Sequence, residues 1–199
     1  MKIGLCATNL DDYLLPKDLD FIGVDHGVEE LLKQGIKPIY SIGDFDSLKD
    51  KEILTKLAIK QLPERKDVTD THAAIEYVID KGYDEIEIYG VTGGRIDHFL
   101  AAMCLLEKYE NINIKLIDKQ NCITLLKPGI HKIESNGYYY FSLFACNESI
   151  ISIKSAHYPL DNYLLKRSDP LCVSNQIKDN YALIENSQNI ILIQSKDKM

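Results

Sequence analysis

The sequence predicts an α/β unit built on a parallel sheet, followed by an all-β sandwich. Three observations carry this. Up to about residue 118, short apolar runs alternate with segments of helical period, the pattern of strands joined by helices that cover both faces of a parallel sheet. Beyond it, short β-rich runs follow one another with turn residues between them. Charge changes at the same place: residues 1–120 carry 23 acids against 15 bases, and 121–199 carry 7 against 8. We place the boundary so that 1–119 forms the α/β unit and 120–199 the β-sandwich, with no flexible linker between them.

Lys2 to Ala7 reads as the first strand and Asp20 to Val24 as a second. Val28 to Gln34 is helical, with Gly35 as a C-terminal stop and Pro38 shortly after. Ile39 to Ile42 is a third strand, and the charged stretch Leu48 to Ala58 is expected to be a helix. Asp70 to Lys81 is a stronger helix, apolar at Ala73, Ala74, Tyr77 and Val78 and stopped at Gly82. Glu85 to Tyr89 alternates as a strand, Ile96 to Tyr109 is helical, and Asn113 to Ile117 is a strand again. In the second portion, strands are expected at Cys122–Leu126, Gly129–Glu134, Tyr138–Phe144, Ser149–Lys154, Leu171–Ser174, Tyr181–Glu185 and Asn189–Gln194.

Composition excludes several classes of function. At 199 residues and 45% apolar content the chain can bury a sizeable core. A net charge of −7 argues against nonspecific nucleic-acid binding, and an acidic first portion that approaches a phosphate ligand needs metal cations between them. There is no run of eighteen apolar residues and no signal-peptide anatomy at Met1-Lys2-Ile3-Gly4, so a membrane role is not expected and the cytoplasm is the expected location. Cys6, Cys104, Cys122, Cys146 and Cys172 are scattered without a CxxC spacing, and read as small core residues.

The chemistry gathers at the predicted carboxyl ends of the strands, where open parallel sheets bind their ligands. Asp25 and His26 follow the second strand, and Ile42-Gly43-Asp44-Phe45-Asp46-Ser47 follows the third. In extended backbone Asp44 and Asp46 project to the same side. Two carboxylates held about 4 Å apart repel by roughly 4 kcal/mol at an effective dielectric near 20, which a divalent cation would offset. A turn in which these side chains cap backbone N–H groups is the competing explanation. Asp67 and Asp70, three apart in Lys66-Asp67-Val68-Thr69-Asp70, open the next helix; capping explains one of them, and Asp70 is assigned to metal. Magnesium favours a few carboxylates together with substrate phosphates, so Asp44, Asp46 and Asp70 form a reasonable set.

Thr92-Gly93-Gly94-Arg95-Ile96-Asp97-His98 joins a strand to a helix. The glycines let backbone come close to a ligand, the helix offers unpaired N–H groups, and Arg95 adds a forked cation, so the segment reads as a phosphate site. No Lys-Ser/Thr pair follows, so it is not a Walker motif. His98 could contact the nucleotide or serve as a buried structural histidine.

Gly43-Asp44-Phe45-Asp46-Ser47, Lys66 to Asp70 and Thr92 to His98, in this order on these loops, resemble the thiamin pyrophosphokinase family, and the resemblance spans essentially the whole chain. It implies an α/β catalytic domain with a C-terminal β-sandwich, ATP as co-substrate, Mg2+ as cofactor, and a homodimer with thiamin between the catalytic domain of one subunit and the β domain of the other. Ser155 to Leu160 and Val173-Ser174-Asn175-Gln176 resemble the family's β-domain signature, which would set Ser174 and Asn175 near the thiamin. The chain departs from the family pattern at His26-Gly27, at Val173 and at Gln176, and it has no tryptophan to stack on thiamin.

The resemblance implies transfer of an intact diphosphate from ATP to the hydroxyethyl oxygen of thiamin, leaving AMP. Asp25 and His98 are candidates for holding the nucleotide, while Asp67, Asp97 or a metal-bound carboxylate could take the hydroxyl proton. Two alternatives stand beside it: a sugar-nucleotide glycosyltransferase, whose Asp-x-Asp also holds a metal on a diphosphate, and a non-catalytic nucleotide or thiamin sensor of the same fold.

Overall fold

The computed structural model describes residues 1–8, 10–45, 57–61 and 67–197. Asp46, Ser47, Lys66 and most of the helix expected over 48–58 lie outside the described residues. The chain divides into two compact units, Met1–Lys119 and Gln120–Met199.

The first unit is an open sheet of six parallel strands. They are β1 (Lys2–Cys6), β2 (Phe21–Val24), β3 (Tyr40–Gly43), β4 (Ile59–Gln61), β5 (Glu85–Tyr89) and β6 (Asn113–Ile117). Their order is β4-β3-β2-β1-β5-β6, every pair parallel. The chain first steps from β1 through β2 and β3 to one side and then returns to place β5 on the other, so the topological switch lies between β1 and β5. Strands β1, β2 and β5 are buried almost end to end, as expected when helices cover a parallel sheet. Ile3, Leu5, Phe21, Ile22, Ile86 and Ile88 are at most 1% exposed, and each contributes about 1.5–3 kcal/mol by leaving water.

Helices α1 (Gly27–Lys33), α2 (Asp70–Asp80) and α3 (Ile96–Lys108) pack on this sheet. On α2 the buried residues are Ala74, Ile75 and Val78, one face at helical spacing. Helix α2 is tied to the far end of α3 through a polar cluster. Lys108 Nζ lies 2.8 Å from His72 Nε2, and the Tyr109 hydroxyl lies 2.9 Å from that nitrogen and donates to Glu76 Oε1 at 3.1 Å. Burial, with Glu76 second, pushes the Tyr109 phenol up to about 12, so it remains a donor at neutral pH. The loop after β1 is held by Gln34, whose Oε1 accepts from Leu15 N–H at 3.0 Å and whose Nε2 donates to the Tyr13 carbonyl at 2.8 Å.

The second unit is a β-sandwich. One antiparallel sheet has β13 (Ile190–Ser195) between β7 (Asn121–Leu126) and β9 (Tyr140–Ala145). The other runs β11 (Leu160–Lys166), β10 (Glu148–Lys154), β12 (Ala182–Asn186) and β8 (Gly129–Ile133). Phe141, Leu143, Ile190 and Leu192 from the first share one core with Ile151, Ile153, Leu165 and Ile184 from the second.

Three strand expectations are corrected. Leu171–Ser174 is a turn: Asp169 Oδ1 accepts from Leu171 N–H at 2.9 Å, and Ser174 has φ 58, outside the extended region. Strand β11 was not expected, because Leu160–Lys166 is an edge strand exposed at most positions and has no clean alternation. Its register with β10 shifts between Ile151 and Ile153, where Asn162 takes φ 47 and donates its N–H to Ser152 Oγ. Strand β4 was also missed; it is a three-residue edge strand with every residue exposed. Of the cysteines, Cys6 and Cys172 are buried, Cys122 and Cys146 are intermediate and Cys104 is exposed, so the core expectation holds for two of the five.

Candidate active site

A cavity of about 290 Å³ opens at the switch point of the first unit. Ala7 and Thr8 line it from the end of β1, Val24 and Asp25 from the end of β2, and Gly90, Val91 and Thr92 from the end of β5. Thr69, Asp70 and Thr71 enter from the start of α2, and Gly94, Arg95 and His98 from the start of α3. The first turns of two helices thus face one space, where unpaired N–H groups and the positive dipole ends favour an anion. Ala101, Ala102 and Leu105 supply an apolar wall from α3.

Two glycines fix this geometry. Gly90 takes φ 77, and a Cβ there would sit 2.9 Å from the Thr8 backbone nitrogen, so β1 and β5 can close on each other only without a side chain. Thr8 Oγ1 donates to the Gly90 carbonyl across the same junction. A Cβ on Gly43 would come within 2.9 Å of the Asp25 Cα, and Asp25 N–H donates to the Ile42 carbonyl at 2.8 Å. The ends of β2 and β3 are therefore pressed together at Asp25 and Gly43, the residue before Asp44. Phe45, 1% exposed with φ 57, packs against Val28 and anchors the chain immediately before Asp46.

The structure brings Asp25, Asp70, Thr92, Gly94, Arg95 and His98 together around the cavity. Asp44 is half-buried directly after β3 and does not line the cavity. Among the described residues no three acidic, histidine or cysteine side chains form a metal-binding group. The trio Asp44, Asp46 and Asp70 includes a residue outside that set. Asp67 is exposed before α2, and the N-cap of α2 is Thr69, whose side chain accepts from His72 N–H at 3.2 Å. The N-cap position of α2 is therefore filled by neither Asp67 nor Asp70. His26 lies 3.7 Å from Glu29 at the start of α1. His98 is exposed, which removes the buried structural alternative.

Gly93 is exposed with φ 77 and makes the turn into α3. Asp97 holds Arg95: Nε donates to Oδ1 at 3.1 Å and Nη2 to Oδ2 at 2.5 Å. Asp97 Oδ1 also accepts from His98 N–H at 3.1 Å. The Arg95 hydrogen bond holds the Asp97 carboxyl below the usual carboxylate range, and the same bond raises the guanidinium further. Thr8, Thr71 and Gly90 were not predicted from the sequence. Their signal is positional: Thr8 and Gly90 directly follow strands that flank the switch point.

In the second unit Ser174 is exposed, and its N–H donates to Ser142 Oγ at 3.0 Å. Asn175 is 4% exposed. Its Oδ1 accepts from Tyr158 N–H at 3.0 Å and Gln176 N–H at 2.9 Å, and its Nδ2 donates to the Tyr158 carbonyl at 2.8 Å. Its backbone also pairs with Phe141 in both directions at 2.9 Å. Asn175 is a clamp between β9 and the Tyr158 segment.

An open parallel sheet with an anion-favouring cavity at its switch point, followed by a β-sandwich, defines a two-domain α/β enzyme. Two family descriptions match the chain: "Thiamin pyrophosphokinase, catalytic domain" over residues 13–117 and "Thiamin pyrophosphokinase, vitamin B1 binding domain" over 130–191. The chain is 37% identical over 187 residues to a thiamine pyrophosphokinase of Bacillus subtilis (strain 168), covering 89% of this chain and 87% of that protein. The crystal structure of thiamine pyrophosphokinase from Bacillus subtilis superposes with a TM-score of 0.89 at 32% identity, covering all of both chains. That of thiamin pyrophosphokinase from Geobacillus thermodenitrificans does so with 0.89 at 28% identity, covering 100% of this chain and 99% of the other. The chain belongs to the thiamin pyrophosphokinase family.

Proposed function

We propose that this enzyme transfers an intact diphosphate from ATP to the hydroxyethyl oxygen of thiamin, giving thiamin diphosphate and AMP. The observation that carries this is the cavity at the switch point, where the starts of α2 and α3 meet with Arg95 and His98 at its mouth. The thiamin oxygen attacks the β-phosphorus while the bond from that phosphorus to the AMP oxygen breaks. Catalysis of such transfers rests on positioning and charge neutralisation. Arg95, the Thr92–Arg95 backbone and the first turn of α3 hold phosphate oxygens, and Asp25 and His98 hold the nucleotide within the partly apolar cavity.

The donors at the carboxyl ends of β2 and β3 and at the start of α2 are carboxylate oxygens, the chemistry that magnesium prefers, so the residues present fit the cation. Asp44, Asp46 and Asp70 would hold it, and when bound it neutralises phosphate charge. Asp67, exposed just before α2, is the proposed acceptor of the thiamin hydroxyl proton, with a metal-bound carboxylate as the alternative. Ser174 contacts the vitamin, and Asn175 acts by fixing the loop that presents it. The active species is a homodimer in the cytoplasm. Among the described residues no helix is long and apolar enough to cross a membrane.

Incubating the protein with ATP and magnesium, with and without thiamin, and separating the nucleotides tests the reading. Thiamin-dependent AMP is the expected result. Tight binding of both ligands without AMP would identify a sensor instead.

A further inference from the structure

A guanidinium carries five N–H donors in one plane and offers two usable edges, one through Nε and an Nη group and one through both Nη groups. Asp97 occupies the first edge of Arg95 with both its oxygens. Nη1, the remaining corner of the fork, has no partner among the described residues. The carboxylate is itself fixed, because Oδ1 also accepts from His98 N–H in the first turn of α3, where the helix dipole favours negative charge. A chain of contacts therefore runs from the helix backbone through Asp97 to the plane of Arg95.

The pair is open to water, with 73% of the Arg95 and 64% of the Asp97 side chain exposed. Exposed ion pairs add little to folding, so stability does not account for a two-point fork here. We infer that Asp97 is a positioning residue: it fixes the guanidinium plane so that the outer edge of Arg95 meets the phosphates of the nucleotide. This rests on the reading of the cavity as the nucleotide site. It also takes Asp97 out of contention as the proton acceptor, since both oxygens already receive hydrogen bonds and Arg95 stabilises the ionised form. A fork held in advance loses less freedom when phosphate binds, and the gain appears in the affinity for ATP.

Thiamin-dependent AMP release is measured for the wild type, Asp97→Asn, Asp97→Ser, Arg95→Ala and the double variant Arg95→Ala/Asp97→Asn. Serine keeps an acceptor for the first turn of α3 but cannot hold the fork, which separates helix capping from positioning. Both Asp97 variants should raise the KM for ATP by about tenfold, the scale of one charge-assisted contact, with kcat within about twofold and the Tm unchanged. In the Arg95→Ala background Asp97→Asn should add nothing further. A loss of kcat at unchanged KM would make Asp97 the base and overturn the inference. A fall in the KM for ATP would show that Asp97 competes with phosphate, and additive effects would show that it acts apart from Arg95; either overturns it. If Arg95→Ala alone leaves the KM for ATP unchanged, the nucleotide reading of Arg95 fails, and the role of Asp97 fails with it.

Discussion

The start of α3, on the rim of the cavity in the first unit, and the loop around Asn175 in the second are held in opposite ways. At the start of α3 contacts are local: Arg95 to Asp97 and Asp97 to His98 within one turn. Around Asn175 they are distant, joining residue 175 to residues 158 and 141, and Ser174 to Ser142. Sites of the first kind are exposed and contribute little to folding; sites of the second are buried and stabilise the segment that carries them. The difference predicts that damage to the rim costs activity alone, while damage to the clamp costs stability and activity together.

The sharpest test lies in the acids of the first unit. Asp46→Asn should lower kcat by roughly three orders of magnitude, the scale of losing several kcal/mol of charge stabilisation, with an unchanged circular dichroism spectrum and Tm. Activity close to wild type would count against the metal assignment. Next is the clamp. Asn175→Ala leaves the Tyr158 N–H and carbonyl and the Gln176 N–H without their partner, at a cost of about 2 kcal/mol, or roughly 4–8 °C in Tm for a chain of this size. The KM for thiamin should rise with it, and a variant as stable as the wild type would erase the contrast between the two regions. The smallest effect belongs to Ser174→Ala. It should raise the KM for thiamin by about three- to tenfold, the scale of one hydrogen bond, at unchanged Tm, because the backbone donor to Ser142 Oγ remains. A rise confined to ATP would remove the vitamin from the β unit.

The same contrast explains what could be read from the sequence. Glu85–Tyr89 and Asn113–Ile117 were legible to the residue, the first because isoleucines alternate with glutamates and both because β-favouring residues stand between turn signals. Strand β11 and the Leu171–Ser174 turn were not, since an edge strand needs no alternation and an apolar turn around buried Cys172 resembles one. At the cavity, Asp25, Asp70, Thr92, Gly94, Arg95 and His98 stood out because carboxylates, a Gly-Gly pair and a cation cluster at strand ends. Thr8 and Thr71 carry no such signal. Thr69 took the capping role expected of an aspartate, because a hydroxyl one residue before the helix meets the third N–H directly. Asn175 looked like a ligand contact, and only the fold shows its amide turned to Tyr158.

ATP labelled at the β-phosphorus distinguishes transfer of both terminal phosphates as one unit from transfer of a single phosphoryl group. With thiamin and magnesium present, the label should appear in thiamin diphosphate, in equal amount with unlabelled AMP. Label retained in ADP would mean transfer of a single phosphoryl group and would contradict the account.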